Sequence, residues 1–159
     1  MITPRIIRLE EKKLIGQSRV MSVVNNQTGK LWGSFMPRRT EIVHRIGINF
    51  FSLQVYPPDY HLNFNPTAEF TKWALVEVKN LDHIPEGMQW FILKAGDYAV
   101  FDYKGTSGDP SIFEYIYGEW ILKSEYVLDD RPHFEVLEAN YKNNDPDSEE
   151  EIWIPIKKR

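Results

Sequence analysis

The stretch Ser148-Glu149-Glu150-Glu151-Ile152-Trp153-Ile154-Pro155-Ile156-Lys157 runs from acidic through apolar to basic. β-Branched and aromatic residues fill positions 152–156, so it is strand material. Side chains alternate along a strand, which puts Glu151 and Trp153 on one face and Ile152 and Ile154 on the other. With the isoleucine face on the core, the second face carries a carboxylate beside an indole. Such a pair suits a cationic or amphipathic small molecule. On this strand alone the simpler reading is an edge strand with a solvated acidic start, because Pro155 cannot donate to a ladder.

The rest of the chain sets the bounds. Its 159 residues make one domain, or two small halves sharing a core. A hydrophobic content of 42% argues for a folded chain, and 14% aromatics suit either a ligand-lined cavity or an aromatic core. A net charge of -4 argues against binding driven by nucleic-acid phosphates. The absence of cysteine excludes disulfides and thiolate-ligated metal. His44, His61, His83 and His133 are scattered without metal-ligand spacing and read as surface or loop residues, so no metal is expected. No phosphate-cradling glycine loop or nucleophile elbow is present, and no cofactor is expected. No apolar run reaches membrane-spanning length, and Met1-Ile2-Thr3-Pro4-Arg5 lacks the pattern of a signal peptide. A cytoplasmic protein without membrane contact is the expectation.

Strands are expected at 6–8, 14–21, 49–56, 72–78, 90–94, 98–103 and 132–137, besides the final one. Gly16 permits a bend or bulge in the second of these. In the strand at 49–56, Phe51, Leu53 and Val55 share one side, with Phe50, Gln54 and Tyr56 on the other. Leu31-Trp32-Gly33-Ser34-Phe35-Met36 has helical spacing, and Pro37 ends or kinks that helix. Asp109-Pro110-Ser111 starts a second helix over 111–122, with Phe113, Ile116, Tyr117 and Trp120 along one face. The segments 105–110 and 141–150 read as loops, the latter acidic.

The second half echoes the first. Leu31-Trp32-Gly33-Ser34-Phe35 answers Ile116-Tyr117-Gly118-Glu119-Trp120, and Trp73-Ala74-Leu75-Val76-Glu77-Val78-Lys79 answers Glu151-Ile152-Trp153-Ile154-Pro155-Ile156-Lys157. This predicts an α+β fold of duplicated strand-helix-strand-strand modules, about 1–82 and 83–159, within one domain. The sheet is mostly antiparallel, with two helices on one face and a cleft between the modules. The pairing sets Trp73 opposite Glu151, with Trp32 and Trp120 on the two helices.

Several runs resemble the GyrI-like effector-binding domain. They include Ile84-Pro85-Glu86-Gly87-Met88, Gly96-Asp97-Tyr98-Ala99-Val100-Phe101-Asp102-Tyr103-Lys104-Gly105, Ile116 through Trp120, Arg131-Pro132-His133-Phe134-Glu135 and 148–155. Leu31-Trp32, Phe35-Met36-Pro37-Arg38, Tyr56 and Phe70-Thr71-Lys72-Trp73-Ala74 carry the likeness through the first half. The resemblance implies two strand-helix-strand-strand modules around a ligand cleft. In several members this is the drug-sensing half of an AraC- or MerR-type regulator, where a buried glutamate among aromatics holds lipophilic cations. Glu151 matches that glutamate best and Glu135 is the second candidate. A carboxylate so buried has a raised pKa and prefers a cationic partner. Trp153, Trp120, Tyr117, Trp73, Tyr56, Trp32 and Phe35 are the candidate aromatic lining, with core packing as the competing role for each. A strand at Ile6 leaves no room before it for a helix-turn-helix, so a freestanding domain is expected, with a small-molecule ligand and no direct nucleic-acid contact.

Two other functions follow from relatives of that family. Some hydrolyse strained alkylating natural products with a glutamate and a tyrosine, for which Glu151 with Tyr117 or Tyr56 would serve as base and proton donor. One group inhibits DNA gyrase, and the acidic run 145–151 would be the corresponding protein-binding surface.

Overall fold

The computed structural model describes residues 2–106, 108–138, 141–142 and 145–159. Ser107, in the loop at 105–110, and Asn143 and Asn144, in the acidic loop, lie outside the described residues. The strands are β1 (Arg5–Leu9), β2 (Lys12–Met21), β3 (Phe50–Val55), β4 (Phe70–Val78), β5 (Gln89–Leu93), β6 (Gly96–Lys104), β7 (Tyr126–Leu128), β8 (His133–Leu137) and β9 (Glu149–Lys158). They form one antiparallel sheet in the order β1-β6-β9-β8-β3-β4-β2-β5, with β7 attached to β9. The α+β class and the antiparallel sheet expected from the sequence are both present. The short β7 has too few residues to show an alternation and was not anticipated.

Helix α1 (Thr28–Phe35) tightens into a 3-10 turn (Met36–Glu41) where Pro37 removes an amide donor. Helix α2 covers 111–123: an α-helical start (Ser111–Tyr115), a π-helical middle (Ile116–Trp120) and a last turn (Ile121–Lys123). Asp109 accepts hydrogen bonds from the Ser111 amide at 3.0 Å and its hydroxyl at 2.6 Å, which fixes the entry. The wider π turn brings Ile121 into line with Ile116 and Ile112, and all three are buried.

Both helices lie on one face of the sheet. Under α1, Leu31 and Phe35 pack on Ile15, Ala74, Val76 and Val78. Under α2, Ile112, Ile116 and Ile121 pack on Ala99, Phe101, Ile152, Ile154 and Ile156. The opposite face is also buried: Leu9 of β1 and Leu93 of β5, from the two edges, meet in one cluster with Leu14, Leu53, Leu75, Tyr98 and Phe134. The sheet therefore curls over its helix-free side.

β9 is an interior strand rather than an edge one, paired with β6 on one side and β8 on the other. Pro155 is tolerated because the ladder with β8 ends at Trp153 and that with β7 begins at Ile156. The Pro155 carbonyl on that side accepts from the Asp129 amide at 3.0 Å. Gly16 is not a bulge: its ladders to Leu75 and Gln89 are unbroken. It answers a close approach instead, since a methyl group there would sit 1.8 Å from the Ala74 carbonyl oxygen.

Candidate functional site

Where the two helices stand apart, the central strands β3 and β8 run side by side along the floor of a cleft. The cavity there measures about 860 Å³, within the range that holds a drug-sized molecule. Its aromatic walls are Trp32 from α1, Phe50 from β3, Phe113 from α2 and Tyr141 from the segment after β8. Trp32 stands edge-on to Phe50, with ring centres 6.1 Å apart, and both meet Phe35 beneath them.

Four charged residues line the same cavity: Lys72 from β4, Glu135 from β8, Glu150 from β9 and, at its exposed rim just after β8, Glu138. Strand parity explains the first three. Ser52 pairs with both Ala74 and Glu135, and Glu135 pairs with Ile152, so these residues share the helix-side face. Lys72 is in phase with Ala74, and Glu150 with Ile152.

Burial pushes the Glu135 carboxyl up to about 7; Lys72 pulls it down, Glu150 pushes it further up, and a long Gln54 hydrogen bond of 3.5 Å lowers it slightly. Glu150 is likewise raised by burial to about 7, with Lys72 opposing. The Lys72 ammonium is lowered by burial and drawn back up by the two carboxylates. It donates to the Thr28 hydroxyl at the foot of α1, at 3.2 Å.

Beyond this charged part, the space between the wings is filled. Tyr56, Tyr60 and His61, at and after the end of β3, pack with Phe70, Tyr117 and His133. His61 stacks on both Tyr117 and His133 with ring centres 4.9 Å away in each case. Tyr117 Oη lies 2.9 Å from His133 Nδ1. Burial drives the His133 pKa down to about 3, so the imidazole is neutral near pH 7 and Nδ1 can accept the tyrosine proton. Burial also raises the Tyr117 phenol, which stays protonated.

A family description for integron-associated effector binding proteins (Cass2) matches residues 5–156. The chain belongs to that family. The GyrI-like likeness read from the sequence therefore holds, and the cleft lies in an effector-binding domain. Within the Cass2 family and around it, three relatives place the chain. It is 28% identical to the transcriptional regulator BrlR of Pseudomonas aeruginosa, over 96% of this chain and 54% of the regulator. The chain thus spans about half the length of that relative. The structure of SAV2435 bound to tetraphenylphosphonium shares the fold with a TM-score of 0.67 at 17% identity, over 97% of this chain and 93% of the other. The Vibrio cholerae integron cassette protein VCH_CASS2 does so with 0.69 at 14% identity, over 98% and 97%.

Of the residues singled out from the sequence, this cleft collects Trp32 and Glu135. Phe35 is fully buried beneath α1. Trp120 is partly buried, edge-on to Phe101 and stacked with Tyr126, in the core under α2. Tyr56 and Tyr117 belong to the aromatic-imidazole packing at the filled end. Glu151, Trp153 and Trp73 point to the opposite face of the sheet. There Glu151 pairs with Arg5 at 2.9 Å and accepts from the Trp153 indole at 3.1 Å, Trp153 stacks on Phe134, and Trp73 meets Phe91 edge-on. Glu151 is therefore not among the cavity-lining residues, nor is it gathered with Tyr117 or Tyr56 as the hydrolase reading requires. His133 is buried rather than superficial. The sequence reading did not single out Lys72, Glu150, Phe50, Phe113, Glu138 or Tyr141 as site residues, and all of them line the cavity. The phase of Glu150 with Ile152 and Ile154 was the available signal for one of them.

Among the described residues no group of three or more His, Asp or Glu could hold a metal. No described helix is long and apolar enough to cross a membrane.

Proposed function

We propose that this domain binds an amphipathic organic cation in the cleft between α1 and α2, as the sensing part of a regulatory or sequestering protein. One observation carries the reading: two buried carboxylates, Glu135 and Glu150, share a cavity with aromatic walls, with Glu138 at its rim, against a single lining cation, Lys72. Each is less stable ionised than it would be in water, which is the condition a cationic guest relieves. Trp32, Phe50 and Phe113 supply flat apolar surface and ring faces for such a cation. The tetraphenylphosphonium ligand of the SAV2435 structure is a molecule of this class. The domain contacts its small molecule rather than nucleic acid, in keeping with the net charge of -4, and works in the cytoplasm.

Titration with tetraphenylphosphonium, followed by tryptophan fluorescence, is the test. Saturable quenching is expected in the wild-type chain and loss of it in the Glu135→Gln, Glu150→Gln double variant. A flat response up to millimolar concentration, to tetraphenylphosphonium and to aromatic amines alike, would refute the reading.

A further inference from the structure

The cleft that accepts a cation also contains one of its own. Lys72 reaches it from β4, and the strand order gives β4 and β9 corresponding places: β4 lies between β3 and β2, as β9 lies between β8 and β6. Ala74 of β4 pairs with Ser52 of β3, as Ile152 of β9 pairs with Glu135 of β8. Lys72 and Glu150, each two residues before that pair, therefore hold matching positions in the two wings. Their charges are opposite. Across a cleft of nearly two-fold backbone layout, one wing offers an ammonium and the other a carboxylate, with Glu135 on the floor between.

Both signs have bonding capacity left over. An ammonium has three donors, and among the described residues the hydrogen bond from Lys72 goes to Thr28 alone. The Glu135 carboxylate has its single long contact from Gln54, and the Glu150 carboxylate has no hydrogen bond or ion pair at salt-bridge distance among the described residues. A ligand with only a positive charge would satisfy the carboxylates and be repelled by Lys72. One with only a negative charge would face the Glu135 and Glu150 carboxylates, and Glu138 at the rim. We infer that the effector is zwitterionic: an aromatic or amphipathic amine that also carries a carboxylate or similar anionic group, the amine facing Glu135 and Glu150 and the anion meeting Lys72. This rests on the cation-binding reading of the same cleft and narrows it to a chemical class. The cation group is common to both; the anion is what Lys72 adds.

Matched biphenyl compounds separate the two. 4-Phenylphenylalanine and 4′-(aminomethyl)biphenyl-4-carboxylate are short and long zwitterions; 4-phenylbenzylamine is the bare cation and biphenyl-4-carboxylate the bare anion. Calorimetric titration of the wild-type chain should show at least one zwitterion binding about tenfold or more tighter than the bare cation, the size expected of one charge-assisted contact. Lys72→Met should erase that preference by weakening the zwitterion and strengthening the cation, while Lys72→Arg should retain it. Should Lys72→Met fail to fold, the wild-type series and Lys72→Arg still decide. If the bare cation binds the wild-type chain as well as both zwitterions do, or if folded Lys72→Met keeps the preference, the zwitterion inference falls and cation binding stands. If neither tetraphenylphosphonium nor any biphenyl compound binds, both fall together.

Discussion

Glu150 and Glu151 are the same residue type, one peptide apart, and the sheet gives them opposite lives. Glu151 points to the helix-free face, where Arg5 and the Trp153 indole satisfy it. Glu150 points between the helices into the cavity, where burial raises its pKa to about 7. Composition, neighbours in sequence and strand propensity cannot separate them. The two-residue period does, because a shift of one position exchanges the faces of a strand. The lesson is that one face of this sheet pairs its charge within the fold, while the other holds buried carboxylates that the fold leaves with few partners.

The largest effect that would sharpen this contrast comes from the helix-free face. Trp153→Ala removes an indole stacked on fully buried Phe134 and should cost about 3 kcal/mol in urea denaturation. Affinity for tetraphenylphosphonium in the still-folded fraction should change little. A variant that loses affinity without losing stability would break the division between faces.

On the cleft face the outcomes reverse. Glu135→Gln and Glu150→Gln should each lower tetraphenylphosphonium affinity by roughly ten- to thirtyfold, the scale of a charged contact of ~1.5–2 kcal/mol. Both should hold or raise stability at pH 8, since each removes a carboxylate that is costly to ionise where it sits. Loss of stability in either variant would argue that the carboxylate serves the fold.

Acidity offers a third handle. The carboxyls of Glu135 and Glu150 are raised from 4.5 to about 7 in the folded chain. Their contribution to stability is thus fully present below about pH 4.5 and lost as pH climbs through 7. His133 is lowered from 6.5 to about 3, so its contribution is present above 6.5 and lost as pH falls toward 3. Between about pH 8 and 6.5 the carboxylates dominate these opposing trends: stability should rise and cation affinity fall as the pH is lowered. Denaturation midpoints and ligand titrations at matched pH values check both slopes, and the double glutamine variant should flatten them.

The smallest effect belongs to the residue the sequence favoured. Glu151→Gln weakens a contact with the half-exposed Arg5, and should cost less than ~1 kcal/mol and leave ligand affinity unchanged. A tenfold loss of affinity would return Glu151 to the binding machinery.

Much of the architecture was open to reading because periodicity survives in long elements. The alternation in β9 correctly sends Ile152, Ile154 and Ile156 to one core, and the spacing of Leu31 and Phe35 correctly buries one side of α1. The site was harder to read for a physical reason. Both faces of β9 are apolar enough to be buried, so alternation separates the faces without saying which one borders the cavity. A similar ambiguity affects the helices, where core-buried Phe35 and cavity-lining Trp32 lie only three residues apart. Lys72 escaped notice because a lysine in a strand reads as solvated until the neighbouring helix is placed over it. The packing of His61 with His133 depends on the irregular segment after β3, for which sequence has no periodic signal.

The two outermost strands have one more consequence. β1 comes from the beginning of the chain yet completes the wing built by β6, β8 and β9, while β5 follows β4 and closes the wing built by β2, β3 and β4. Cutting the backbone at residue 82 would leave the earlier fragment without β5 and the later one without β1. Each piece would expose a raw sheet border that only the other can cover, like two hands clasped with the little fingers exchanged. The grip that sets the spacing of the jaws is therefore written into the order of the gene and cannot be inherited by half of it.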